Sequence, residues 1–231
     1  MDESFVIDTR LHHLAEIDDL PEDHVQYLYF LRDHCNFQPR VIYDIGSCVL
    51  HWTKVAHRVW PKAKIIAFDG LRHVTFLHER HKHEVGEDRF DYHIDVLSHE
   101  DRLGVRWHEN PLFPSGCSYY KEVGTNLYKN SHGRPRIARS LDSVVSSRGF
   151  PKPDLVKIDV QGAEIDILRG GRGVMEDTKH LLVELQCVQY NEGAMMVDES
   201  IPVIEGLGWS CRARKPFSRG HPDGDYHFEK P

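Results

Sequence analysis

Between residues 40 and 186, short apolar runs alternate with stretches of helical periodicity, and that alternation leaves few folds open. VIYDIG (41–46), KIIAFD (64–69), FDYHIDV (90–96), DLVKIDV (154–160) and HLLVELQ (180–186) are each of strand length and rich in β-branched or aromatic residues. LHWTKVAHRVW (50–60), the stretch running through 84, and SLDSVVSSRG (140–149) read as the helices between them. Strand and helix in succession predict βαβ units, which lay parallel strands side by side under covering helices. The fold class expected is therefore α/β, with the first three units forming one half of a doubly wound sheet.

The flanking segments fit one domain over 1–231. Leu20-Pro21-Glu22-Asp23 opens a helix near 21–35, since proline is well placed in a first turn, so 1–39 reads as an N-terminal helical segment. Residues 97–135 are rich in Gly, Pro, Ser and Asn and hold one strand signal, VRWHE (105–109); they read as a loop-rich insertion beside the site. A last helix near 196–207 precedes WSCRAR (209–214) and DYHFEK (225–230), which read as a closing hairpin.

Composition removes several function classes. A formal charge of −7 provides no global basic footprint, so a nucleic-acid partner is not expected. No apolar run approaches the ~18 residues of a membrane span, and the acidic N-terminus lacks a signal-peptide stretch. Five scattered cysteines with no C-x-x-C pair argue against a disulfide framework or a thiolate zinc site, and point to a reducing, cytoplasmic setting. In HERHKHE (78–84), His78 and His81 have helical spacing but no nearby third ligand, so the stretch reads as a solvated helix face.

The charges inside the strands carry the chemistry. Side chains alternate along a strand, so Leu155, Lys157 and Asp159 share one face and Asp159 stands at the carboxyl end, where open α/β sheets bind ligands. Asp44 and Asp69 end the first two strands. An acid after strand two can accept both hydrogen bonds of a ribose diol, and Gly46 lets a ligand approach the backbone. The G-x-G-x-x-G fingerprint of a pyrophosphate cradle is absent, and the acid Asp44 suits a cationic amino group, which points to S-adenosylmethionine. Methylating a hydroxyl needs a base or a metal that lowers its pKa. Lys157 is a candidate base if desolvation outweighs its neighbour Asp159; Asp159 and Glu184 could instead share Mg²⁺ or Mn²⁺, or Glu184 could simply pair with Lys157.

SLDSVV, followed by DLVKIDVQGAEIDILRGG and LLVELQ, resembles the FkbM-type methyltransferases from about Val41 to the C-terminus. The resemblance implies a class I S-adenosylmethionine-dependent O-methyltransferase with a Rossmann-like, mostly parallel seven-stranded sheet and helices on both faces. It implies that Asp44, Gly46 and Ser47 line the methionine end of the cofactor, that Asp69 holds the ribose, and that Asp95 and Val96 border the adenine. The family usually carries a second glycine soon after the first; this chain has Cys48-Val49-Leu50-His51. The expected acceptor is a hydroxyl, in a sugar of a glycan or glycosylated metabolite. The rival expectations are a nucleic-acid methyltransferase and a catalytically silent cofactor-binding module.

Overall fold

A computed structural model describes residues 22–110, 112–212, 218–219 and 223–231 of the chain. After helix α1 (Glu22–Asp33) come β1 (Val41–Ile45), α2 (His51–Val59), β2 (Lys64–Asp69), α3 (Thr75–Val85) and β3 (Phe90–Ile94). Then follow β4 (Val96–Ser98), β5 (Arg102–Trp107), β6 (Arg134–Ser140), α4 (Leu141–Arg148), β7 (Leu155–Ile158) and α5 (Glu164–Gly170). The chain closes with β8 (His180–Gln186), α6 (Val197–Gly206), β9 (Ser210–Cys211), β10 (Ser218–Arg219) and β11 (Asp223–Glu229). The expected N-terminal helical segment is represented by α1; residues 1–21 lie outside the described residues, as do 213 and 214 of the expected closing hairpin.

The main sheet runs β10-β11-β8-β7-β1-β2-β3, with β9 also pairing β11. Strands β3, β2, β1, β7 and β8 are mutually parallel, and β11 is antiparallel to β8. This is the mostly parallel α/β sheet that the strand–helix alternation predicts. Alternation sorts the side chains onto two faces. Ile42, Ile65, Ala67, Leu155 and Leu182 join Leu28, Trp52, Val55 and Leu77 in one core beneath α1, α2 and α3. Tyr43, Ile45, Ile66, Phe68, Val156 and Ile158 join Leu141, Val144, Ile165, Ile201 and Ile204 beneath α4, α5 and α6. Both faces are dry, which is why the strands read as continuous apolar runs. Each fully buried aliphatic or aromatic side chain contributes roughly 1.5–3 kcal/mol, so these two layers fix the strand ends that carry the site.

Two expectations need correction. The stretch 90–96 is not one strand: the chain breaks at Asp95, and β4 leaves to form a second sheet ordered β4-β6-β5. That sheet pairs Val96–Ser98 with Ala138–Ser140 in parallel, so much of the supposed loop-rich region 97–135 is framed by strands. Nor are two of the three α3 histidines solvated, although His83 is exposed. His78 is wholly buried and His81 is 7 % exposed, because they form the inward stripe of a helix with few aliphatic residues. His81 packs edge-on to Phe90 at 4.8 Å, and His78 Nε2 lies 2.9 Å from the Ser47 hydroxyl.

Candidate active site

The carboxyl ends of β1, β2, β7 and β8 surround a cavity of about 370 Å³, within the usual range for a small-molecule site. Gly46, Asp69, Asp95 and Val96 line one part of it, and Asp159, Gln161, Glu184 and Asp223 line another. Trp107 and Tyr128 close it from the side of the second sheet. Trp107 rests on Gly70, where a Cβ would stand 2.6 Å from the indole ring.

Asp69 is built into the first cofactor-type loop. Its Oδ2 accepts the Cys48 N–H at 2.6 Å and its Oδ1 the Leu71 N–H at 2.8 Å. Burial pushes its pKa up to about 6, against the lowering effect of those two amides. A carboxylate offers about four acceptor sites, so two remain for a ligand. The loop itself is unusual. Cys48 and Leu50 have φ of 46° and 70°, the left-handed region that glycine enters without cost, and they occupy the stretch where the family pattern has its second glycine. The chain therefore makes the glycine turn with side chains in place.

Asp44 and Lys157 are cross-strand partners in the β1–β7 register, both on the α1–α3 face. Asp44 is fully buried; its Oδ2 accepts the Thr53 hydroxyl at 2.5 Å, while Oδ1 has no hydrogen-bond partner among the described residues and lies 3.6 Å from Lys157 Nζ. Lys157 Nζ also lies 3.2 Å from Asp159 Oδ2 and donates to the Gly46 carbonyl at 3.4 Å. Desolvation alone would lower the lysine pKa, but Asp159 and Asp44 together outweigh it and hold the pKa above the ordinary value. Lys157 thus keeps its proton. Neither Asp44, Lys157 nor Ser47 lines the cavity; Ser47 turns inward to His78.

Asp159 and Glu184 come together as the strand order predicts, but through a third residue. The Gln161 amide donates to Asp159 Oδ1 at 3.0 Å and to Glu184 Oε2 at 2.7 Å. Asp159, 32 % exposed towards the cavity, has a lowered pKa: burial opposes ionisation, but Lys157, Glu184 and Gln161 overcome it. Glu184 is pushed well above the carboxylic range by burial first, then by Asp159, Asp223 and Asp225. Of the two, Asp159 is the more readily ionised. The Gln161 N–H group bridges the two carboxylates expected to share Mg²⁺ or Mn²⁺, and a cation there would have to displace it.

Gln161 escaped the sequence reading because glutamine has no charge to mark it. The available signal was its place, directly after a strand-end acid and before Gly162. Its φ of 58° turns the amide back towards the carboxylates, and such an outlier in a non-glycine residue is typical of a functional turn. Glu164 is the first residue of α5, and its Oε1 accepts the Val160 and Gly162 N–H groups at 3.2 and 3.0 Å. The two tyrosines of the 111–122 loop both donate to Asp166 Oδ2, at 2.8 Å from Tyr119 and 3.1 Å from Tyr120.

Over 81 residues the chain is 26 % identical to the hexuronic acid methyltransferase AglP of Haloferax volcanii, a match covering 35 % of this chain and 30 % of that protein. It is 22 % identical over 190 residues to Methyltransferase 1 of Beauveria bassiana, covering 76 % and 74 % of the two chains. The fold matches that of magnesium protoporphyrin IX methyltransferase from Synechocystis, solved with bound S-adenosylmethionine, with a TM-score of 0.52 at 8 % identity over 98 % of this chain and 86 % of that one. Residues 41–209 match the methyltransferase FkbM domain, and the chain belongs to that family.

Proposed function

We propose that the protein is an S-adenosylmethionine-dependent O-methyltransferase whose acceptor is a hydroxyl on a sugar, in a glycan or a glycosylated metabolite. The observation that carries this reading is one cavity joining a ribose-type carboxylate, Asp69, to two carboxylates bridged by Gln161, Asp159 and Glu184. Asp69 has acceptor capacity left for a ribose diol, Asp95 and Val96 would border the adenine, and Gly46 would let the methionine end lie against the backbone. S-adenosylmethionine supplies a methyl carbon bonded to a sulfonium, which needs no activation by the protein.

The protein's work is then on the acceptor. Asp159 is the more readily ionised of the pair and stands at the cavity surface, and a hydroxyl placed against it can pass its proton to it as the new C–O bond forms and the methyl–sulfonium bond breaks. Lys157 acts as a positioning residue, holding Asp159 ionised from behind. The relative that acts on a hexuronic acid supports a sugar acceptor, and five free cysteines support a reducing cytoplasmic setting. Among the described residues no helix is long and apolar enough to cross a membrane.

The test is methyl transfer from labelled S-adenosylmethionine to sugars, glycans, RNA and DNA, each with and without excess EDTA. Transfer to a sugar hydroxyl that survives EDTA is the expected result. Transfer to nucleic acid alone would replace the acceptor, loss in EDTA would restore the metal, and failure to bind S-adenosylhomocysteine by calorimetry would leave a silent module.

A further inference from the structure

A second constellation of ligating groups lies at the opposite end of the sheet from the cavity. His180 opens β8 and Glu229 ends β11, and the antiparallel register places them directly opposite one another. His227 is two residues before Glu229, so all three side chains leave the same face. His180 Nδ1 lies 2.9 Å from His227 Nε2 and 3.4 Å from Glu229 Oε1, and His227 Nε2 lies 3.9 Å from that oxygen. A tetrahedral ion with bonds of about 2.0–2.1 Å spaces its ligand atoms about 3.3–3.4 Å apart. The three measured separations fall on either side of that value.

We propose that His180, His227 and Glu229 form a binding site for a divalent transition ion of the zinc class, with water as the fourth ligand. The surroundings are arranged as such a site requires. Tyr27 of α1 holds the far nitrogen of His227, Nδ1, at 2.8 Å, leaving Nε2 directed at the site. Arg212 takes the other oxygen of Glu229, Oε2, at 3.2 Å, leaving Oε1 directed inward. The Phe37 ring packs against His180 with centroids 4.1 Å apart. His227 is 4 % exposed, whereas the Glu229 side chain is 25 % exposed, so an ion can reach the site from solvent. Without an ion the two histidines share one hydrogen bond; with one, the ion replaces that bond and ties β8, β11 and, through Tyr27, α1. Two imidazoles and one carboxylate select Zn²⁺ over the hard cations Mg²⁺ and Ca²⁺.

The full chain without an affinity tag, stripped by a chelator, is titrated with Zn²⁺ against a chromophoric competitor and with Co²⁺ by absorption. One equivalent bound, a tetrahedral Co²⁺ spectrum and a raised Tm are expected. Glu229→Gln and His180→Asn should each weaken binding tenfold or more, while Asp159→Asn/Glu184→Gln should leave it unchanged. Should the stripped wild type take up no stoichiometric ion, or the Glu229→Gln/His180→Asn variant bind as tightly as wild type, the site is a histidine hydrogen-bond pair and the proposal fails. Loss of binding in the Asp159→Asn/Glu184→Gln variant alone would move the ion to the cavity and overturn it equally.

Discussion

The carbonyl oxygen of Asp159 lies so close to Gly46 that a Cβ on the glycine would stand 1.7 Å from it. Gly46 also has φ of +85°, so both its conformation and its neighbour exclude a side chain. The contact joins the loop after β1 to the loop after β7. Lys157 spans the same gap, bonding the Gly46 carbonyl and Asp159 together. The parts assigned to cofactor and acceptor are thus one mechanical unit at the chain level.

Asp69 should control cofactor affinity in a pH-dependent way. Only the ionised carboxylate accepts both hydroxyls of a ribose, and its pKa of about 6 lies above the usual aspartate range. Affinity for S-adenosylhomocysteine should therefore fall as pH drops through 6. Asp69→Asn should bind at least tenfold more weakly at pH 7.5, the loss of one charge-assisted hydrogen bond at roughly 1.5–3 kcal/mol, and should show no step near pH 6. Calorimetry across pH 5 to 8 checks both points, and wild-type affinity in a folded Asp69→Asn would remove the ribose assignment.

Asp159 and Lys157 should separate from Asp69 kinetically. Asp159→Asn keeps the hydrogen bonds of Gln161 within reach but removes the ionised acceptor, so kcat should fall by ~10²–10⁴-fold. S-adenosylhomocysteine affinity should stay within about threefold, less than ~0.7 kcal/mol. Lys157→Met should also lower Tm, because it leaves the fully buried Asp44 without its cation, a loss of ~3–5 kcal/mol for a broken buried pair. Normal turnover in both variants with only Tm altered would make these charges structural.

Glu164 predicts the sign of a pH effect on stability. Burial raises its pKa from 4.5 to about 7, against the backbone amides it accepts. Between those values the folded chain binds a proton that the unfolded chain does not, so this group's contribution to stability is present below pH 4.5 and lost as pH rises towards 7. The change is on the order of 3 kcal/mol at most. Glu164→Gln, which cannot ionise, should flatten the decline in Tm between pH 5 and 8; an unaltered profile would show that Glu164 titrates normally.

Much of this arrangement was legible in the residues, and the reasons differ from place to place. Asp69, Asp159 and Glu184 could be placed because a strand-end acid after a β-branched run has one meaning in a parallel sheet. Parity along β7 likewise put Leu155, Lys157 and Asp159 on one face, whereas the pairing of Lys157 with Asp44, away from the cavity, follows only from the register. The second sheet was hidden because β4 and β6 pair across some forty residues, and no local pattern encodes a partner so distant. His78 and His81 misled because a buried helical stripe is ordinarily aliphatic, and here imidazoles satisfied by Ser47 and His57 fill it. The bridge between Asp159 and Glu184 depends on the backbone turn at Gln161, which a residue type alone does not specify.

The first loop offers a comparison in which magnitudes choose the sign. Left-handed backbone costs a non-glycine residue roughly 1–2 kcal/mol, which glycine would recover. Leu50 is 1 % exposed, and deleting a buried leucine side chain costs about 2–5 kcal/mol, so Leu50→Gly should destabilise despite the relief. Cys48 is only half-buried and has a small side chain, so Cys48→Gly should hold Tm or raise it. Chemical denaturation of the two variants decides this; a large loss in Cys48→Gly would mean that the thiol packing outweighs the turn.

The β4-β6-β5 sheet and the loop it carries are fastened at their ends and again along their length, where Arg136 donates to the Gly70 carbonyl and Glu122 bridges Asn191. Only Asp95 separates β3 from β4, and β6 runs straight into α4, whose cap is Ser140. Between these anchors the chain from 99 to 133 supplies Trp107, Phe113, Cys117 and Tyr128 to the cavity while contributing no strand to the main sheet. Trp107 packs on Gly70 and Tyr120 on Gly162, so a change of length in that stretch would be felt at the loops that carry Asp69 and the Asp159 turn. Chimeras exchanging residues 99–133 between family members would have to carry those two contacts with them.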